Sequence, residues 1–508
     1  MRVYSLAEFP PPPALGKVTL EESDGLVYSE KESPDVLRVF QADVFPELTF
    51  IRIQDELARP SSTISMSAKS CILRQQPSDQ WAQLCEAYVD HGLYGLLDHL
   101  STAETTAPLS VMAAPARLSL KCYHCAGRVY TFLRGLLFPQ LQLSPEEICS
   151  KYSEVANWRS GNVRALAWHP GAKKLAIALR NDSVILYTKN SAISSELKHP
   201  KQKNVTCVAF RPFSGSHIAV GCETGLLLWN IPAAIVVKTP TMHSATQFLP
   251  GTLISSVAWH PAGSLLAVCS ARFGDINVFD VATGEAVPLT TFSLLPSAHL
   301  LRWSRDGFRI FAACPNGGFN IWQGSPVWDA QRYTSKVVTT GCWSYDGCQL
   351  LFTVEGDPSV YQLSLNPVGE PMAAIPRPRA IISLDGHPDG ISGEVSIMEW
   401  ERNCQRLAIA FKHPSNLIAI FSTKIKPLFD IKPLGFFRGP SSPEAMKFCE
   451  DQQEGGILTV CWSSGQVQHI PMHFEVPAGD RSIVLSRAAV GELSGDFSNE
   501  SPQQSQLY

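Results

Sequence analysis

Short apolar runs alternate with polar turns from about residue 160 to residue 471, and the pattern repeats seven times. The first run of each repeat ends in an aromatic side chain, and these side chains are Trp168, Phe210, Trp259, Trp303, Trp343, Trp400 and Phe448. By subtraction, the spacings are 42, 49, 44, 40, 57 and 48 residues. Repeats of this length built from short strands are typical of β-propellers, in which each repeat forms one four-stranded blade.

A polar turn follows each aromatic residue, and a second apolar run follows each turn. The second runs are KLAIAL at 174–179, HIAVGC at 217–222, LLAVCS at 265–270, RIFAAC at 309–314, QLLFTV at 349–354, RLAIAF at 406–411 and ILTVCW at 457–462. Strands that are apolar on both faces are covered on both faces, as in stacked blades. The run DINVFDVATGE at 275–285 is close to a WD-repeat consensus. The pattern therefore predicts an all-β fold, a seven-bladed WD-repeat β-propeller over residues 158–476.

The chain before the repeats divides into two parts. Residues 1–77 have an irregular pattern, and their apolar runs KVTL at 17–20 and LTFIRI at 48–53 are candidate edge strands, one of which would close the ring. Residues 78–157 show a helical pattern that predicts a small helical region packing on the propeller. Within it, SPEE at 144–147 predicts a helix that begins at Pro145 with Ser144 as its N-cap.

Composition limits the classes of function. Hydrophobic residues make up 45% and charged residues 17% of the chain, which indicates a globular protein, although residues 477–508 are polar enough to predict a mobile tail. The net charge of −4 is too small for the whole-protein field to attract nucleic acid. No run of about 18 apolar residues and no secretory signal occurs, so we expect no membrane span and a location in the cytosol or nucleus.

The sequence motifs do not favour catalysis. No GxSxG, HExxH, Walker A or Rossmann motif is present, so we expect a non-enzymatic protein without cofactor or metal. Cys122 and Cys125 are the only tight cysteine pair, and without a second pair they are expected to be packed thiols. His169, His199 and His260 lie at turns beside strands, where histidines more often orient a strand junction by hydrogen bonds than catalyse a reaction.

Two segments are candidate interaction sites. Phe9, Pro10, Pro11, Pro12 and Pro13 could form a polyproline II ligand for a partner's groove, and an ordered leader without that role is the alternative. A second segment mixes lysines with phenylalanines, as single-stranded nucleic-acid sites do. It contains Lys424, Lys426 and Lys432 among Phe411, Phe421, Phe429, Phe436 and Phe437. Because Phe411 and Phe421 are needed in predicted strands, a solvated blade rim is the favoured interpretation.

Several segments together resemble the aladin family, the WD-repeat nucleoporins of the nuclear pore complex. They are FPPPP at 9–13, KVTL at 17–20, NW at 157–158, AWHP at 167–170, DSV at 182–184, LKH at 197–199, GCWSYDG at 341–347, LLFTV at 350–354, WSSG at 462–465 and HIP at 469–471. The resemblance implies a scaffold that binds other nucleoporins, notably a transmembrane anchor, so that membrane association is indirect. It also implies nucleocytoplasmic transport, a place at the nuclear envelope, and spindle organisation at spindle poles. The tail is shorter than the Pro-rich segment of vertebrate members.

Two other functions are compatible with a propeller. Many WD-repeat propellers are substrate receptors of ubiquitin ligases, and the helical region would dock the ligase adaptor. A propeller hydrolase would need polar side chains that converge in the central channel.

Overall fold

A computed structural model describes residues 3–53 except 34, residue 119, and residues 143–474 with internal gaps. The gaps are residues 189–193, 232–244, 273–274, 290–297, 325–327, 368–375, 390, 392, 413–415, 427 and 450–454. The chain divides into two compact units, one formed by residues 1–60 with 145–508 and the other by residues 61–144. The Cys122 and Cys125 pair, most of the helical region predicted for 78–157, and the tail predicted for 477–508 lie outside the described residues.

The N-terminal segment forms regular elements rather than only irregular chain. In chain order these are β1 (Tyr4–Ser5), a 3-10 helix (Leu6–Glu8), β2 (Lys17–Ser23), β3 (Leu26–Lys31), α1 (Val36–Val44) and β4 (Ile51–Arg52). Helix α2 (Pro145–Tyr152) then precedes the repeats, and it begins at the proline that the sequence predicts.

Seven sheets follow, in each of which the strands of one repeat are antiparallel, and this confirms the predicted seven-bladed propeller. Blade 1 contains β5 (Val163–Trp168), β6 (Lys174–Leu179), β7 (Val184–Thr188) and β8 (Ser195–Leu197). Blade 2 contains β9 (Cys207–Phe210), β10 (His217–Cys222), β11 (Gly225–Asn230) and β12 (Ala245–Phe248). Blade 3 contains β13 (Ser256–Trp259), β14 (Leu265–Cys269), β15 (Ile276–Asp280) and β16 (Ala286–Leu289). Blade 4 contains β17 (Leu300–Trp303), β18 (Arg309–Ala313), β19 (Phe319–Gly324) and β20 (Trp328–Tyr333).

Of the last three blades, blades 5 and 7 also contain strands from the N-terminal segment, whereas blade 6 does not. Blade 5 contains β21 (Val338–Trp343), β22 (Gln349–Val354), β23 (Ser359–Ser364) and β24 (Arg379–Ser383), with β1 added parallel to β24. Blade 6 contains β25 (Val395–Trp400), β26 (Arg406–Phe411), β27 (Leu417–Lys424) and β28 (Asp430–Arg438). Blade 7 contains β29 (Pro443–Cys449), β30 (Gly456–Trp462) and β31 (Gln466–His473) from the C-terminal part of the chain.

The N-terminal segment completes blade 7 and so closes the ring. Strand β2 pairs in parallel with one end of β31 through Glu22 and Met472, and β3 pairs with β2 as a hairpin. Strand β4 pairs antiparallel with the other end of β31 through Ile51 and Val467. Both N-terminal apolar runs therefore lie on the outer edge of β31, which would otherwise be exposed at this position.

The core lies between blades. The Phe319 ring of blade 4 packs edge-on against Phe352 of blade 5, with the ring centroids 5.0 Å apart. Between blades 1 and 2, Ala176, Ile218 and Trp229 belong to one buried cluster. One small sheet cannot bury enough apolar surface alone, whereas stacked blades share their cores.

The two flat sides of the ring differ in which strand ends they carry. Each first strand ends at its aromatic residue or, in blade 7, one residue after it. The turn that comes next lies on what we call the lower face. The turns between third and fourth strands open on the same side, because neighbouring strands are antiparallel. The first strands begin at the opposite side, which we call the upper face.

Candidate interaction site

The residue before the aromatic of each first strand occupies an equivalent position in all seven blades. These residues are Ala167, Ala209, Ala258, Arg302, Cys342, Glu399 and Lys447. Three of the seven are charged, and they belong to blades 4, 6 and 7. Burying a charged side chain without a partner costs free energy. The contacts of these three residues therefore determine whether their charges are available to bind another molecule.

Glu154, which follows α2, joins charged residues from distant blades. Its carboxylate lies 2.7 Å from the Arg302 guanidinium and 3.3 Å from the Lys447 ammonium, and Lys447 also pairs with Glu399. Because blades 4 and 7 are three positions apart in a ring of seven, one carboxylate contacts both only near the central axis. The charged positions of the first strands therefore face the axis and bind a residue of the same chain.

The electrostatics of this cluster favour ionised side chains. Burial opposes the charge of Glu154, yet Arg302 and Lys447 outweigh burial and lower its pKa to about 2. Burial likewise opposes the charges of Arg302 and Lys447, but the neighbouring glutamates raise the pKa of both groups. The cluster is consequently a set of mutually compensating charges.

Helix α2 and the segment after it lie against the upper ends of the first strands. The Tyr152 hydroxyl donates to the Pro315 carbonyl at 3.5 Å, and the Tyr152 ring packs on His299 with centroids 4.6 Å apart. Trp158 Nε1 donates to the Val205 carbonyl at 3.1 Å. Residues 145–158 thus contact blade 4 at one end and the start of blade 2 at the other.

On the lower face, Arg305 connects two blades that are not neighbours. It extends from the blade 4 turn and donates to the carbonyl of Trp400 at 3.1 Å, to that of Glu401 at 3.4 Å, and to that of Arg402. All three carbonyls belong to blade 6. Arg305 therefore crosses beneath blade 5 and stabilises the lower side of the ring.

The turn histidines make the hydrogen bonds that the sequence predicts. The Nδ1 atom of His169 accepts the N–H of Gly171 at 3.0 Å, and His260 accepts that of Ala262 at the same distance. His199 accepts the N–H of Lys201 at 3.1 Å. Each imidazole is thus an acceptor within its own turn, which is a structural role.

Residues 3–31 form what we call the N-terminal strap, which runs across blades 5, 6 and 7. Phe9 is 6% exposed, and its ring centroid lies 4.8 Å from those of both Phe421 and Phe436. The Pro13 carbonyl accepts a hydrogen bond from Arg438 Nε at 2.8 Å. Pro10 and Pro11 are exposed.

Some candidate interaction residues of the strap are buried in the propeller and others are exposed. Phe9 packs in the propeller's own core, and Pro12 and Pro13 are half-buried, so the surface available to a partner narrows to Pro10 and Pro11. That this surface binds a partner stays a prediction. In the basic and aromatic segment, Phe411, Phe421, Phe436 and Phe437 are buried, so these rings are not available for stacking on bases.

Within the described ranges, no group of three or more His, Cys, Asp or Glu residues could hold a metal ion. Among the same residues, no helix combines the length and apolar character needed to cross a bilayer. The described cysteines are free thiols, and burial raises the pKa of Cys207 to about 12. Such thiols pack as small apolar side chains.

The sequence patterns described above do not indicate the axial charges or the long-range ion pairs. The signal that was present is positional: Arg302, Glu399 and Lys447 share the place before the aromatic of the first strand. No sequence pattern indicated that Glu154 would reach them from outside the repeats.

Comparison with known proteins identifies a family and a curated relative. The family described as the aladin seven-bladed propeller matches residues 144–473, well over half of the chain. The relative, a protein of Arabidopsis thaliana named aladin, is 25% identical over 351 residues, which cover 62% of this chain and 76% of the relative.

Solved structures also resemble the chain. A chain of the mitotic checkpoint complex is 15% identical with a TM-score of 0.47, over 63% of this chain and 94% of that one. A chain of Kuenenia stuttgartiensis hydrazine synthase is 12% identical with a TM-score of 0.47, over 62% and 96%. These scores are too low to support an inference.

Proposed function

This chain belongs to the aladin seven-bladed propeller family, and from that premise we propose that it is a non-enzymatic scaffold of the nuclear pore complex. It binds a membrane-anchored nucleoporin, is held at the nuclear envelope through that partner, and supports nucleocytoplasmic transport. Spindle organisation in mitosis belongs to the same proposal. The observation that carries it is the family match, which begins with α2 and extends through the last strand of blade 7.

The charge arrangement at the axis supports a scaffold rather than an enzyme. Arg302, Lys447 and Glu399 are each engaged by an oppositely charged side chain, and Glu154 lies between two of them. A propeller that works by interaction leaves its faces and outer rim for partners. Those surfaces are held in place by the strap, by α2 and by Arg305.

The experiment is extraction of nuclear envelopes with alkaline buffer without detergent. A chain bound through a membrane-anchored protein is released into the supernatant, whereas the anchor stays in the pellet. Retention of the chain with the integral proteins would contradict the proposed tethering.

A crosslinked pulldown from the same envelopes is expected to recover nucleoporins, and recovery of ubiquitin-ligase adaptors without nucleoporins would instead support a substrate receptor.

A further inference from the structure

Among the exposed apolar side chains of the lower face, three lie in or beside turns between strands of alternating blades. Phe213 of blade 2 is 76% exposed, Phe308 of blade 4 is 47% exposed and Leu428 of blade 6 is 80% exposed. Phe213 and Phe308 lie in turns between first and second strands, and Leu428 lies between a third and a fourth strand. All three are therefore on one side of the ring, although they are far apart in sequence.

The turn that carries Phe213 is held from both sides. The Ser214 carbonyl is 3.1 Å from His169 Nε2 of blade 1, and Arg211 Nε donates to the Gly263 carbonyl of blade 3 at 2.7 Å. Phe213 itself has a φ of 55°, an unfavourable conformation for a bulky residue. The aromatic side chain is thus exposed on a fixed and strained turn, a combination that is typical of functional surfaces.

Basic side chains flank Leu428 along the chain. Lys424 and Lys426 precede it in the same segment, and Lys432 follows it; all three are exposed. Arg379, at the lower end of the fourth strand of blade 5, is also exposed. This part of the lower face is what we call the basic patch.

The nearby acids are partly engaged within the protein. Asp430 accepts a hydrogen bond from the Tyr4 hydroxyl at 2.8 Å and lies 3.8 Å from Lys432. Asp346 accepts bonds from Ser344 and from the Cys348 N–H inside its own turn. Among the side chains named here, four exposed cations stand beside two acids, so this part of the lower face is richer in positive charge than the chain as a whole, which carries a net charge of −4.

We propose that the lower face contacts the surface of an anionic phospholipid bilayer, with Leu428 inserted among the headgroups and the basic patch against the phosphates. Exposed apolar residues flanked by lysines are the composition of interfacial membrane contacts. A planar bilayer matches apolar side chains presented separately by three blades, whereas a protein partner's hot spots usually cluster in one packed region. This contact is in addition to the protein anchor and does not depend on it.

The contact is weak by itself. Each lysine near an anionic surface adds about fivefold to binding, and the attraction is screened by salt. One inserted leucine adds about tenfold or more. Stable attachment to a membrane requires more than one such contribution, so the protein anchor is still needed to hold the chain there.

The test is flotation of the full-length chain with vesicles of phosphatidylcholine, with and without phosphatidylserine. We expect flotation only with phosphatidylserine, and less of it at high salt. The double variant Lys424→Gln/Lys426→Gln is expected to bind roughly 25-fold more weakly. Its matched control is Lys203→Gln/Lys336→Gln, which removes the same charge from exposed positions on the upper face.

A second pair of variants tests the apolar side chain. Leu428→Ser is expected to lower binding about tenfold or more. Leu15→Ser, at a position 85% exposed near the upper end of the strap, is expected to leave binding unchanged. Unchanged melting temperatures show that all four proteins are folded.

Three results would overturn the proposal. They are absence of flotation with phosphatidylserine vesicles, equal flotation with both vesicle types, and equal losses in the lower-face and upper-face variants. If the chain fails to float but the basic patch crosslinks to an acidic protein, the patch is a protein interface instead.

Discussion

Glu22 and Arg406 are 384 residues apart in the sequence, yet the Glu22 carboxylate accepts two hydrogen bonds from the Arg406 guanidinium, at 2.9 Å and 3.1 Å. Glu22 is 0% exposed and Arg406 is 6% exposed. Glu22 lies on the strap strand that completes blade 7, and Arg406 lies on the second strand of blade 6. This ion pair therefore ties the N-terminus to two blades where the ring closes.

Removing the Glu22 charge should destabilise the ring. In Glu22→Gln the Arg406 guanidinium stays buried without its counter-charge, and breaking such a pair costs about 3–5 kcal/mol. The measurement is thermal or denaturant unfolding, with Glu21→Gln, at a half-exposed neighbouring position, as the matched control. Equal stability of the two variants would show that the pair does not hold the closure together.

Phe9 should act mainly as a core residue. Phe9→Ala removes a buried ring from between Phe421 and Phe436, and large-to-small changes of this kind cost about 3–5 kcal/mol. Pro11→Ala, at an exposed position of the same segment, should be close to neutral in unfolding experiments. If Pro11→Ala instead weakens nucleoporin recovery in pulldowns without changing stability, the exposed prolines contact a partner.

Glu154 should make stability depend on acid pH. Its carboxyl has a pKa of about 2 in the folded chain and an ordinary value of 4.5, so its stabilising charge is fully present above about pH 4.5 and is lost as the pH falls toward 2. Denaturant unfolding between pH 6 and pH 3 should show a shallower loss of stability for Glu154→Gln than for the native chain. Parallel curves for the two proteins would contradict the axial ion cluster.

Glu444 should make the free energy of unfolding fall with rising pH, in a higher pH range than the one in which Glu154 acts. Burial raises its pKa from 4.5 to about 7, although the N–H groups of Asn162 and Val163 donate to the carboxylate and oppose the shift. The folded chain then holds a proton that the unfolded chain releases, so stability falls as the pH rises from about 4.5 to 7 and is level above that.

The Glu444→Gln variant isolates this effect. Its neutral amide should flatten the curve between about pH 4.5 and 7, by on the order of 3 kcal/mol across the window. Glu285→Gln, at an exposed position of blade 3, is the control and should follow the native curve. Curves of the same shape for the native chain and Glu444→Gln would show that Glu444 titrates normally.

Local patterns predicted the fold well because propeller strands are short and locally encoded. Trp168, Trp259, Trp303 and Trp343 end first strands as their spacing indicates, and KLAIAL at 174–179 coincides with β6. The alternation of apolar runs and turns depends on neighbouring residues, so one sequence is sufficient to detect it.

Contacts between distant segments could not be predicted in this way. Tyr4 pairs with Ile382 in the sheet of blade 5, and Glu154 reaches Arg302 and Lys447 at the axis. Each contact depends on where the closed ring places residues that are more than 100 positions apart. A short-range sequence pattern does not indicate such a placement. The exposed residues of the lower face could not be predicted either, because the sequence of one turn does not indicate which other turns lie on the same side of the ring.

The most direct test of the scaffold function is proximity labelling in intact cells, with the labelling enzyme fused to the full-length chain. We expect the most strongly enriched proteins to be nucleoporins, including one with transmembrane segments, and the signal to lie at the nuclear rim. Enrichment of ubiquitin-ligase adaptors without nucleoporins, or labelling spread evenly through the cytosol, would contradict it.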